Sequence, residues 1–199
     1  NPAASPAQRT GLWTWIRNQL SKSGSNLRDN LQSALQQTGA EDEHFTAGER
    51  TLLTNVLKLA EMRVEDVMVP RADIDAVDVD DSLGEAIEIL RDSGHSRMPL
   101  FDDNLDNVLG MVHIKDALER VTAPVDKPNG SPIKLVSTVL KQKLGKLDLA
   151  RKVLFVPPSM PVSDLLQAMQ GNRVHMAIVV DEYGGTDGLV TIEDLIEAV

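Results

Sequence analysis

The segment at residues 97–118 (RMPLFDDNLDNVLGMVHIKDAL) returns at residues 175–196 (HMAIVVDEYGGTDGLVTIEDLI) without a gap, at a constant offset of 78 residues. Six positions are identical: Met98/Met176, Asp103/Asp181, Gly110/Gly188, Val112/Val190, Ile114/Ile192 and Asp116/Asp194. Upstream, Leu83, Ala86, Ile87 and Leu90 correspond to Val162, Leu165, Leu166 and Met169, and each set has the i, i+3, i+4, i+7 spacing of an amphipathic helix. A chain that repeats a unit of this size is constrained to a tandem architecture before any other feature is weighed.

Each copy reads as strand (residues 76–79; 154–156), helix, strand (98–101; 176–180), turn, strand (109–112; 188–190) and closing helix, a β-α-β-β-α order. Ser82 with Glu85 forms a capping box ahead of the first helix, and Pro161 stands in the opening turn of its counterpart. A three-stranded sheet of this size cannot cover both faces alone, so the copies are expected to pack against each other with pseudo-two-fold symmetry. The expected class is therefore α/β, more strictly α+β, with a ligand groove between the repeats. The expected divisions are an N-terminal disordered or helical segment at 1–50, repeat 1 at 51–122, a Pro- and Gly-containing linker at 123–146, and repeat 2 at 147–199.

Composition excludes several classes. A formal charge of −10 opposes binding to a phosphate backbone, so nucleic acid is not an expected partner. The absence of cysteine removes disulfides, thiolate nucleophiles and Cys-based zinc sites. No run approaches the roughly 18 apolar residues of a membrane helix, and no secretory signal is visible. Residues 1–10 are rich in Pro, Ala and Ser, as expected of a disordered lead. Residues 11–22 place Leu12, Trp13, Ile16 and Leu20 on one helical face, which suits either a membrane surface or packing within the protein. Further helices are expected near residues 27–35 and 46–60. The chain starts at Asn1 and stops inside an apolar, acidic helical run, so a fragment is expected.

The residues then resemble a known family. VEDVMVPR at residues 64–71, GHSRMP at 94–99, GMVHIKD at 110–116, HMAIVVDEYGG at 175–185 and GLVTIEDLIE at 188–197 are similar to the cystathionine-beta-synthase (CBS) pair of the CorC/HlyC (hemolysin C, TlyC) group. These proteins are bacterial relatives of the CNNM magnesium transporters. The resemblance covers residues 51–199 and implies a Bateman module that dimerises into a disc and binds AMP or ATP, often with magnesium. It also implies a cytoplasmic regulatory role, peripheral to the inner membrane, in magnesium and cobalt efflux. A small C-terminal domain would follow the pair. The hemolysin name raises a membrane-active alternative, and a degenerate pair that only dimerises or docks is another.

The candidate site combines residue chemistry with this resemblance. In GLVTIED the strand from Gly188 enters a helix at Thr191, where free N–H groups and the helix dipole favour an anion. Asp194 can accept ribose hydroxyls and Thr191 can offer its own, although the two residues also make an ordinary capping box. Arg97 is the expected phosphate cation, with Ser96 as a hydroxyl donor, unless Arg97 simply pairs with a nearby carboxylate. The resemblance assigns Val69, Pro70, His95, Ser96, Arg97, Met98 and Pro99 to the pocket wall completed by Thr191 and Asp194. In the first copy His113 replaces the threonine while Asp116 is retained, so the mirror site is expected to bind weakly or not at all.

Other constellations fail on spacing. Asp102, Asn104 and Asp106 imitate a calcium loop, but Asn107 stands where Gly is needed and His113 where Glu is needed, which leaves a solvated turn. His44, His95, His113 and His175 show no metal-ligand spacing, and no nucleophile has a base beside it. The expectation is a binding module without catalytic or metal-ligating residues of its own.

Overall fold

A computed structural model of the protein describes residues 46–59, 61–122 and 136–198. The chain divides into two compact units, the first Asn1–Ala60 and the second Glu61–Ala198. In the first unit, helix α1 (Ala47–Leu59) is opened by Thr46. The Thr46 N–H and hydroxyl both donate to Glu49, a reciprocal cap that satisfies the helix's first donors. The expectations for residues 1–45, both tryptophans included, and for residues 123–135 of the linker lie outside the described residues.

The second unit contains both repeats. Repeat 1 runs β1 (Val69–Pro70), β2 (Val77–Asp78), α2 (Leu83–Ser93), β3 (Arg97–Asp102), β4 (Asn104–His113) and α3 (Ile114–Val121). Repeat 2 runs β5 (Leu154–Val156), α4 (Val162–Asn172), β6 (Met176–Val180), β7 (Thr186–Thr191) and α5 (Ile192–Glu197). The order β2-β3-β4 forms one sheet and β1-β7-β6-β5 the other. In each repeat a parallel pair flanks the crossover helix and an antiparallel hairpin follows. Apart from β1, this is the expected β-α-β-β-α order, twice.

Strand ends shift by one or two residues at β2, β3 and β7, and two boundaries differ in a way that bears on the fold. Strand β4 begins at Asn104, five residues earlier than expected, because its polar, mostly exposed start extends the hairpin beyond the apolar stretch. Pro161 is the cap of α4 and precedes its first turn. Asp103 adopts φ 69°, a left-handed conformation that an aspartate tolerates at a hairpin turn.

The repeats are interlocked. Strand β1, from the start of repeat 1, adds itself to the sheet of repeat 2, with Val69 opposite Leu189 and Pro70 opposite Gly188. Its counterpart is an isolated bridge in which Met111 and Arg151 exchange N–H···O bonds of 2.9 Å. Repeat 1 has its own core of Val77, Leu83, Ala86, Leu90, Met98, Leu100, Val112 and Ala117, closed below by Leu144, Leu147 and Leu149. A second cluster is shared by the two sheets: Val108 and Met111 from β4 meet Met176, Ile178 and Leu189 from β6 and β7. Each fully buried side chain of this kind is worth about 1.5–3 kcal/mol, so the shared cluster makes one cooperative unit of two small repeats.

A polar clasp lies on the same junction. Arg71 pairs with the Asp106 carboxylate and donates to the Thr186 carbonyl at 2.8 Å. Asp106 also accepts the Thr186 N–H at 2.8 Å, and the buried Thr186 hydroxyl donates to the Leu105 carbonyl at 2.6 Å. Arg71 and the Thr186 amide together hold the Asp106 carboxyl below its ordinary range. Asp106, expected in a merely solvated turn, ties repeat 1 to repeat 2.

Candidate functional site

The two glycines common to the repeats explain how the site is built. A Cβ on Gly188 would stand 2.5 Å from the Val69 carbonyl oxygen and 2.8 Å from Met68 Sδ, and one on Gly110 would stand 2.5 Å from the Arg151 carbonyl oxygen. Only glycine permits this approach of backbone to backbone. It lets the VMVP segment lie directly against the strand that delivers Thr191.

At the end of β7, Thr191 caps α5. Its N–H and hydroxyl donate to Asp194 Oδ2 at 2.7 and 2.8 Å, and the Asp194 N–H points back to the Thr191 hydroxyl at 3.5 Å. The Ile192 N–H donates to the His175 carbonyl at 3.1 Å. The expectation of free amides at this turn is thereby corrected: Thr191, Ile192 and Asp194 all have protein acceptors for their N–H groups. Arg97 adds a side-chain cation beside this turn.

Arg97 opens β3 of the first repeat, yet its Nη1 lies 2.6 Å from both carboxylate oxygens of Glu193, between Thr191 and Asp194 of the second. The arginine side chain is only 16% exposed and the glutamate side chain 59%. Arg97 Nε is buried with no hydrogen-bond partner among the described residues. Desolvation pushes the Glu193 carboxyl up, but the arginine and nearby donors outweigh it and hold the group below its ordinary value. The structure thus brings Arg97 to Glu193, within the Thr191–Asp194 turn, across 96 residues of sequence.

The other expected wall residues divide. Val69 is half-buried against the shared cluster, and Pro70 is exposed. His95 and Ser96 are exposed, with His95 Nε2 3.3 Å from Asp75. Pro99 is buried and sits opposite Met111 on β4. Met98 departs from expectation. Strand alternation turns it away from Arg97 into the core of repeat 1, where it is 0% exposed, so its side chain packs and does not line the groove.

The mirror position is occupied by protein. His113 replaces the threonine and still caps its helix, Nδ1 accepting the Lys115 N–H at 3.1 Å. Burial and the Arg151 and Arg97 charges keep this imidazole below its ordinary pKa. Asp116 is gripped by Arg151 through two bonds of 2.5 Å, and that pairing depresses its carboxyl. Arg151 stands where Val69 stands in the other half, each at the bridge beside its glycine. Sequence reasoning named neither Arg151 nor Glu193. Arg151 is marked only as a cation ahead of β5, and Glu193 only by the contrast of TIED with HIKD.

An open groove of about 550 Å³ runs along α2, but Asp75, Asp81, Glu85, Glu88 and Asp92 line it, a potential that repels phosphate. Among the described residues, no group of three or more His, Cys, Asp or Glu is arranged to hold a metal ion. Nor is any helix among them long and apolar enough to cross a membrane.

This geometry coincides with a family match: the CBS domain model fits residues 64–123 and 145–199, one copy on each repeat. The chain belongs to the CBS domain family. Its pair is of the hemolysin C and CorC kind. It is 41% identical over 172 residues to a hemolysin C homolog of Rickettsia rickettsii (strain Sheila Smith), covering 86% of this chain and 52% of that protein. The chain therefore spans about half the length of the curated relatives it matches. The CBS domain of the bacterial CNNM/CorC family Mg2+ transporter has TM-score 0.71 and 29% identity, covering 88% of this chain and 94% of that one. In its complex with ATP the values are TM-score 0.63, 31% identity, 76% and 96%. A CBS-domain pair with bound AMP from Klebsiella pneumoniae has TM-score 0.52 and 32% identity, covering 68% and 96%.

Proposed function

We propose that this CBS pair is a regulatory sensor that binds one adenine nucleotide, ATP or AMP, at the junction of its repeats. Asp194 and Thr191 hold the ribose, Arg97 and Ser96 face the phosphates, and Val69, Pro70, His95 and Pro99 bound the groove. The observation that carries this reading is the meeting of Arg97 from one repeat with the Thr191-Asp194 turn of the other. A cation beside a hydroxyl and a carboxylate is the donor set that a ribose phosphate requires. The ATP and AMP complexes of similar CBS pairs support the same ligand class. The mirror position, with Asp116 engaged by Arg151 and His113 as cap, takes no nucleotide.

The pair acts by binding and not by catalysis, on the cytoplasmic side of a membrane transporter that moves magnesium or cobalt. The transporter link is supported by the CNNM/CorC neighbours. Magnesium accompanies the nucleotide as its counter-ion.

One observation favours a second reading, a module that dimerises or docks without ligand: Thr191 and Asp194 bond to each other, and Arg97 Nη1 is already paired with Glu193. Isothermal titration of wild type and Asp194→Ala with AMP and ATP, each with and without magnesium, separates the two. Loss of the carboxylate is expected to weaken binding about ten- to hundredfold, on the scale of about 1.5–3 kcal/mol for hydrogen bonds to a charged group. Equal affinity in the two proteins removes Asp194 from the site.

A further inference from the structure

The Arg97–Glu193 pair is a specificity device for the nucleotide site proposed above, and it rests on that reading. We propose that Glu193 is an internal anion that competes with ligand phosphates for Arg97. It thereby sets how strongly the site prefers phosphorylated ligands over the bare nucleoside.

The two partners are unequal. Arg97 rises from the rigid strand β3, its side chain 16% exposed, and cannot travel far. Glu193 stands on the first turn of α5, 59% exposed, and can swing into water at little cost. A phosphate approaching Arg97 therefore exchanges with the carboxylate, and Glu193 is the side that yields. The buried Nε of Arg97 has no hydrogen-bond partner among the described residues, so the cation retains unspent donor capacity toward an incoming oxyanion. After exchange, the displaced carboxylate remains within a few ångströms of the phosphate, and the repulsion grows with phosphate charge.

The fold does not itself require the carboxylate. At the equivalent position of the first repeat the chain carries Lys115, the opposite charge, on a helix capped by His113. The reciprocal cap of α5 is made by Thr191 and Asp194, and Glu193 only accepts a further bond from the Thr191 side chain, so its carboxylate can be changed while that cap remains.

The test is titration of the full chain with adenosine, AMP and ATP in three forms: wild type, Glu193→Gln and Glu193→Asp. Glu193→Gln is expected to bind AMP and ATP about three- to tenfold more tightly, the scale of a partly exposed ion pair, with adenosine unchanged. Glu193→Asp keeps the charge and is expected to stay near wild type. If wild type binds AMP and Glu193→Gln binds it equally or less well, the competitor role is wrong while the nucleotide site stands. If Glu193→Gln tightens adenosine as much as AMP, the effect is steric and the proposal fails. If none of the three forms binds any of the ligands, the nucleotide reading falls and this inference with it.

Discussion

His113 shows how one substitution divides two related halves. It caps α3 through the Lys115 N–H, so the helix survives, but burial and the Arg151 and Arg97 charges disfavour the protonated imidazole. Its folded-state pKa lies below the ordinary 6.5. The unfolded chain therefore takes up a proton that the folded chain refuses, and stability is present above about pH 6.5 and lost as pH falls through the folded value. Thermal unfolding between pH 7.5 and 5 should show wild type losing melting temperature more steeply than His113→Thr. Parallel curves would show that His113 contributes nothing to the acid response. At this scale the capping residues were legible in the sequence because a cap is an i, i+3 relation. The pairs Arg97–Glu193, Arg71–Asp106 and Arg151–Asp116 were not, since they join residues 96, 35 and 35 positions apart and exist only in the folded chain.

Helices α2 and α4 announced themselves through aliphatic spacing, and the strands through short apolar runs. Strand β1 did not, because two residues carry no periodicity and its partner β7 belongs to the other repeat. The glycines at the two crossings gave the only local hint. Gly188→Ala or Gly110→Ala drives a Cβ to 2.5 Å from a carbonyl oxygen, and each is expected to destabilise by about 1–3 kcal/mol. At this chain length that lowers the melting temperature by roughly 2–4 °C per kcal/mol. Gly171, inside α4 with nothing within 4 Å of its added Cβ, is the control. Its alanine variant should be stabilised by about 0.5–1 kcal/mol. Calorimetry of the three variants checks the set, and a tolerated alanine at Gly188 would mean that β1 does not press on β7 as described.

For the whole molecule, the repeat made tandem packing and pseudo-symmetry legible, and the motifs made the family legible. Dimerisation is the expectation that belongs here. Leu118 and Ile196 occupy equivalent positions on the two closing helices, 49% and 64% exposed. A pair of such helices per chain offers a self-complementary apolar face. Light scattering after gel filtration should give a dimer for wild type and a monomer for Leu118→Glu with Ile196→Glu. A monomeric wild type would contradict it.

The asymmetry between halves is the central claim, and stoichiometry tests it most directly. Asp194 has no basic partner among the described residues while Asp116 is closed by Arg151, so the pair should be half-occupied at saturation. Isothermal titration of the full chain with ATP should give one nucleotide per chain. Two nucleotides per chain would contradict the closed mirror position, and none would contradict the sensor itself.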